Sequence, residues 1–184
     1  MSIAGPIMDA NKIKSMINAS QEDPSRNYCF VLLALHTGLR MKDILQLKKS
    51  DFYQGEEISS YLSLSAYQDP PIYLNPQMRY LVDKYAESQS LEADDHLFQS
   101  KETGEPISRQ QANRIIKRVA QEHDITGSVS MHTLRKTFAY HAYRNGIAIS
   151  LIQKRLRQKT LMSTKRYIGL ENLQTNRIKI DVRF

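Results

Sequence analysis

The chain has 184 residues, of which 41% are apolar and only 7 are Gly and 6 Pro, enough for one ordinary core and too apolar for a disordered polymer. Lys and Arg number 26 against 19 Asp and Glu, a formal charge of +7 with a pI near 9.5, so a polyanion, nucleic acid first, is the partner to test. A single cysteine excludes an internal disulfide framework, and no run reaches the roughly 18 consecutive apolar residues of a membrane span.

The first residues, MSIAGPIMDANK, lack the basic start and long apolar stretch of a secretory signal, so a soluble, cytoplasmic protein with no membrane partner is expected. Asp9 or Asn11 caps a short helix through Met16, and Asp23-Pro24-Ser25 punctuates before an apolar helix from about Arg26 to His36. Cys29 in that helix reads as a small buried hydrophobe, not a catalytic thiol. Thr37-Gly38 ends it, and a second helix runs from Met41 to Leu47 with Ile44, Leu45 and Leu47 inward and Lys42, Lys48 and Lys49 outward. Between Phe52 and Leu74 the run Ile58, Tyr61, Leu62, Leu64, the break Gln68-Asp69-Pro70-Pro71 and the resumption Ile72-Tyr73-Leu74 predict a small hairpin or three-stranded sheet.

Asn75-Pro76 opens a helix with Met78, Leu81, Val82 and Tyr85 at helical spacing, ending near Ser88. His96-Leu97-Phe98 reads as a short buried segment, Gly104-Glu105-Pro106 as a turn, and Ser108 as the cap of a basic helix burying Ala112, Ile115, Ile116 and Val119. A helix from about Thr133 to Asn145 stops at Gly146, and short helices follow near Ser150 to Leu156 and Met162 to Tyr167. The alternation Ile178, Ile180, Val182, Phe184 suits a terminal β-strand able to pair with its own sheet or a neighbouring molecule's. There is no internal repeat, low-complexity tract or second domain, so residues 1–169 read as one domain and 170–184 as a tail that docks in cis or on a neighbour.

Four polar residues in this apolar, helical context carry chemistry. In HTGLRMKDILQLKKSDF, Arg40 follows a glycine-bearing junction at the start of a helix, where a guanidinium can donate two bonds to a phosphate. Asp43, three residues on, can orient Arg40, although a plain structural ion pair is an equal reading. In MHTLRKTFAYHAYRNG, His132 and Arg135 stand three apart at a helix opening, where backbone amides add donors for an anion; a lone histidine at such a place is otherwise a cap or core group. Tyr167 ends LMSTKRYIGL beside Lys165 and Arg166; a phenol there becomes a nucleophile only where a base or positive charge favours its anion. His141, nine residues after His132, is not at a zinc spacing, so no metal site is expected.

HTGLR, the HTLR pair within a helix and a tyrosine 32 residues after the second arginine together resemble the catalytic domain of the tyrosine recombinase, or phage integrase, family, over about Asp9 to Gly169. The resemblance implies an α+β, mainly α fold with a small antiparallel sheet. It implies that Arg40 and Arg135 bind the scissile phosphate of duplex DNA, that His132 assists proton transfer, and that Tyr167 attacks the phosphorus. A 3′-phosphotyrosyl link and a free 5′-hydroxyl result, so neither cofactor nor metal is needed and no small-molecule substrate is expected. Asp43 matches the acidic position after the first arginine, and Lys42, Lys136, Lys159, Lys165 and Arg166 are the expected DNA contacts. Assembly as a homotetramer on DNA, with Ile178 to Phe184 docking onto a neighbour, is also implied.

Two positions depart from the family. Its hairpin lysine, the general acid for the leaving 5′-oxygen, has no counterpart in SLSAYQDPPIYL, where Ser65 or Gln68 falls nearest; Lys101 in QSKETGEP is a substitute from another loop. Gln158, in KRLRQKT, stands where a Leu-Gly-His motif usually ends in histidine or tryptophan, and its carboxamide can still donate to a phosphate oxygen. The family's N-terminal helical DNA clamp has no counterpart either, so a catalytic-domain-only member or one part of a longer protein is expected. The two readings are therefore a strand-transferring recombinase and a recombinase-like DNA-binding regulator that has lost catalysis.

Overall fold

The computed structural model describes residues 5–64 and 70–170. Helix α1 (Ala10–Glu22) is capped by Asp9, whose carboxylate accepts from Asn11 N at 2.9 Å. It runs six residues past the expected end at Met16, because Ile17 and Ser20 continue the face that packs on the core, and Pro24 stops it. Ahead of it, Ile7 is pinned to a distant helix: its N–H donates to Thr137 Oγ1 (2.9 Å), and its carbonyl accepts from His141 Nε2 (2.8 Å).

Helix α2 (Arg26–Thr37) is the central element, buried from Cys29 to Leu35 and packed by α1 and by the helices at Pro76–Ser88, Arg109–Glu122 and Met131–Arg144. It closes on Gly38 in the left-handed region (φ +64°), whose N–H donates to Ala34 O. Helix α3 (Met41–Leu45) ends two residues early, since Leu47 O accepts from Leu97 N (2.7 Å) and Lys48 bridges His96, pulling the chain into an extended pairing. Lys48 and Lys49 are accordingly half-buried, not outward: Lys49 Nζ donates to Leu91 O at 2.6 Å, and Lys48 pairs with Asp94 at 3.4 Å.

The sheet also differs from expectation. After a 3₁₀ turn (Lys49–Phe52), β1 (Tyr53–Gln54) pairs antiparallel with β2 (Glu57–Ile58), and β3 (Tyr61–Leu62) pairs with β4 (Ile72–Tyr73), two separate two-stranded ribbons. Ser59 breaks the single run read between Ile58 and Leu64, since its hydroxyl both donates to Tyr61 O and accepts from Tyr61 N. Ser65, Gln68 and the expected tail from residue 171, including Ile178 to Phe184, lie outside the described residues.

Helix α4 (Pro76–Ser88) is capped by Asn75, and α5 (Arg109–Glu122) by a Ser108/Gln111 capping box. Helix α6 (Met131–Arg144) begins two residues earlier than read, because Ser130 and Thr133 form its capping box. Helices α7 (Ile149–Leu156) and α8 (Leu161–Tyr167) follow, with Thr160 capping α8. The buried apolar side chains divide into two clusters: a large one around α2 reaching Leu134, and a small one of Ala139, Ile152, Leu156 and Ile168, against which Phe138 and Tyr167 pack. Helix α6 thus spans both, and Arg135 lies at the seam. None of the described helices is long and apolar enough to cross a membrane.

Candidate active site

A cleft of about 650 Å³ opens at that seam, lined by Arg40, Lys42, His132, Arg135, Gln158 and Tyr167 among others. Four elements or turns contribute these side chains, and each places its residues by local rules. Gly38 turns the chain so that Arg40, extended at φ −79°, becomes the N-cap of α3 and is exposed to the cleft. The capped first turn of α6 presents His132, which is exposed, and Arg135 one turn later, only 8% exposed. The left-handed residue Arg157 ends α7 and turns Gln158 inward, and α8 delivers Tyr167 at its last position.

Arg135 Nη2 donates to Leu156 O at 3.1 Å, tying α6 to the end of α7. Burial lowers its pKa from the ordinary guanidinium value and the charge of Arg40 pushes the same way, while Tyr167 and Asp43 oppose them. Two cations that disfavour one another at a half-open seam form a site whose repulsion a bound anion relieves. Tyr167 is half-buried; burial raises its phenol pKa, against the charge and hydrogen bond of Arg135 and the charge of Arg40, all of which favour the phenolate. Its hydroxyl lies 3.4 Å from His132 O, and Lys136 Nζ sits 5.8 Å from its ring centroid, within cation–π range. The arrangement surrounds a phenol with cations that stabilise its ionised form, while the apolar packing behind keeps it neutral at rest.

Other expected residues fall elsewhere. Asp43, whose side chain is 3% exposed, accepts from Arg157 Nη1 at 3.2 Å, a partner the sequence did not suggest. Lys136, Lys159, Lys165 and Arg166 do not line the cleft. Lys101, the suggested substitute acid, lies in the turn between the bridged Gln99 and Pro106 and does not line it either. Among the described residues, Lys42 is the lysine that does. Arg109 and Asn113, one turn apart on α5, also line the cleft and were not singled out; a basic residue directly after a Ser cap, repeated at helical spacing by a polar one, was the available signal. Among the described residues no group of three or more His, Cys, Asp or Glu could hold a metal ion.

The sequence pattern of the phage integrase family matches residues 6–173. The chain belongs to that family. It is 29% identical over 171 residues to the Probable integrase/recombinase YoeC of Bacillus subtilis (strain 168), covering 93% of this chain and 92% of that one. Among solved structures the integrase-family domain is similar to the XerA recombinase (TM-score 0.76, 25% identity, 94% of this chain and 62% of that one). It also shares its fold with the XerH site-specific recombinase bound to a palindromic difH substrate in a post-cleavage complex (TM-score 0.72, 17% identity, 91% and 50%). The fold is that of the tyrosine recombinase catalytic domain, mainly α with small antiparallel ribbons. The chain thus spans nearly all of YoeC and about half to two thirds of the two solved recombinases.

Proposed function

We propose that this chain is the catalytic domain of a site-specific DNA recombinase that cuts and rejoins duplex strands through Tyr167. The observation that carries the reading is that Arg40, His132, Arg135 and Tyr167 line one cleft, with both arginines acting electrostatically on the phenol. In the proposed step the Tyr167 oxygen bonds to phosphorus as the bond from phosphorus to the 5′-oxygen breaks. Arg40 and Arg135 hold the non-bridging oxygens and stabilise the five-coordinate charge, Gln158 adds a hydrogen bond, and His132 assists proton transfer from the phenol. The departing 5′-oxygen takes a proton and leaves as a hydroxyl. Attack by another strand's 5′-hydroxyl on the 3′-phosphotyrosyl link reverses the step, so no nucleotide is consumed. The basic composition and the XerH structure bound to its difH substrate support duplex DNA as partner. Lys42, Lys136, Lys159, Lys165 and Arg166 are the proposed phosphate contacts, Asp43 the proposed orienting group, and a homotetramer on cytoplasmic DNA the proposed working assembly.

A second reading, a DNA-binding regulator without turnover, is favoured by one feature: residues 63–74 contain no lysine to protonate the leaving oxygen. Lys42, a lysine on the cleft wall, is the group we assign to that task. The two readings separate on a pool of nicked duplexes with a randomised core, in which a released fragment prevents religation. The recombinase reading expects a protein–DNA adduct that survives denaturing electrophoresis and is lost in Tyr167→Phe. Tight binding without any adduct selects the regulator.

A further inference from the structure

Arg157 combines an unusual backbone with a long-range ion pair. Its backbone is left-handed (φ +53°, ψ +48°) at the end of α7, a conformation that glycine adopts freely and a long side chain does not. Its guanidinium nevertheless reaches across 114 positions of sequence to Asp43 (Nη1 to Oδ2, 3.2 Å), with the two side chains 19% and 3% exposed. Both flanking residues belong to the cleft. Leu156 O accepts from Arg135 at 3.1 Å, and Gln158, whose Oε1 is buried without a partner among the described residues, lines it. Asp43 in turn sits one turn after Arg40, its N–H donating to Arg40 O at 2.9 Å.

We infer that Asp43 and Arg157 are positioning residues: their ion pair latches the turn after α7 to α3, and so sets Gln158 and Arg135 at a fixed separation from Arg40 across the cleft. Two charges this little exposed hold a defined geometry because solvent screens them weakly and each would be left unpaired if the other moved away. A latch of this kind explains a non-glycine residue at a position whose backbone suits glycine. It rests on the strand-transfer reading only for its catalytic readout; the anion-binding geometry it sets is independent of turnover.

The test uses Arg157→Gly, in which glycine takes the left-handed position without strain, so that the fold survives while the latch is lost. Adduct formation is followed in single turnover at saturating nicked duplex, alongside thermal unfolding. Binding of inorganic phosphate is followed through the side-chain N–H signals of Arg40 and Arg135. The latch predicts a protein that still folds, with a lowered melting temperature because Asp43 loses its buried partner, a rate at least tenfold lower, and weaker phosphate binding. Arg157→Lys restores part of both, and Asp43→Asn shows the same losses without adding to those of Arg157→Gly in the double variant. Wild-type rate and phosphate affinity in Arg157→Gly overturn the proposal, as do losses that add in the double variant. A wild type that forms no adduct while Arg157→Gly still loses phosphate affinity sinks the strand-transfer reading and leaves the latch standing.

Discussion

Gly38 and Phe138 are in direct contact: a Cβ placed on Gly38 would lie 2.8 Å from Phe138 Cε1 and 2.9 Å from Cγ, where no side chain fits. This is the point where the end of α2 meets α6, two residues before Arg40 and three after Arg135. Close approach of backbone to ring brings the two arginine-bearing segments to one cleft. Gly38→Ala therefore introduces both overlap and a side chain at φ +64°, and destabilises by about 1–3 kcal/mol. Urea unfolding measures the loss, and a midpoint equal to that of wild type would contradict the packing.

The arginines differ in burial, and their replacements separate accordingly. Arg135→Lys keeps the charge but forfeits the planar fork that serves Leu156 O and the cleft together, so adduct formation falls by about 10²- to 10³-fold while duplex binding changes little. Arg40→Ala, at an exposed position, lowers the rate comparably with no loss of stability. Equal activity of Arg135→Lys and wild type would exclude a bidentate role.

Tyr167 ionises above the ordinary phenol value of about 10, because burial outweighs the arginines. Removing Arg135 takes away a charge and a hydrogen bond that favour the anion, so Arg135→Ala moves the titration further up, read as the ultraviolet difference between each protein and its Tyr167→Phe counterpart. Tyr28, Tyr53 and Tyr85 are raised as well, mainly by burial. A raised folded pKa gives stability fully present below the unfolded value near 10 and lost as pH rises through the folded one, so the protein weakens on the alkaline side.

His36 has its pKa lowered by burial, opposed by its hydrogen bond to Tyr73 O at 3.1 Å. The sign is opposite: the contribution is complete above the unfolded value of about 6.5 and disappears as pH falls through the lower folded value. His36→Gln, which keeps a donor for Tyr73 O, flattens this acid limb in denaturation midpoints measured between neutral and acid pH. An unaltered slope would show that His36 does not carry it.

Lys42 lines the cleft and is exposed, so Lys42→Ala reduces duplex affinity uniformly across sequences and lowers the salt slope of binding by about 1. A filter-binding titration at several salt concentrations reads this directly, and an unchanged slope would remove Lys42 from the phosphate contacts.

Most helices were legible because their signals are local. Asp9, Asn75 and Ser108 cap within one turn of their own position, and Gly38, Gly104 and Gly146 mark reversals by their freedom at positive φ. The boundaries that shifted are those set by distant partners: α3 stops where Leu47 meets Leu97, and the strand run breaks into two ribbons at Ser59. The motif residues Arg40, His132, Arg135 and Tyr167 could be named from spacing alone.

The sequence by itself determined the family, the mainly helical class and the four residues to watch, since caps, periodicity and motif spacing are properties of neighbouring positions. Tertiary structure alone decided what those residues touch. It put Lys42, Arg109 and Asn113 on the cleft and Lys101 off it, joined Asp43 to Arg157, and set burial against cationic charge at Tyr167. These depend on helices separated by up to 114 positions meeting at one seam between two apolar clusters, and packing across such distances leaves no periodic trace in the chain.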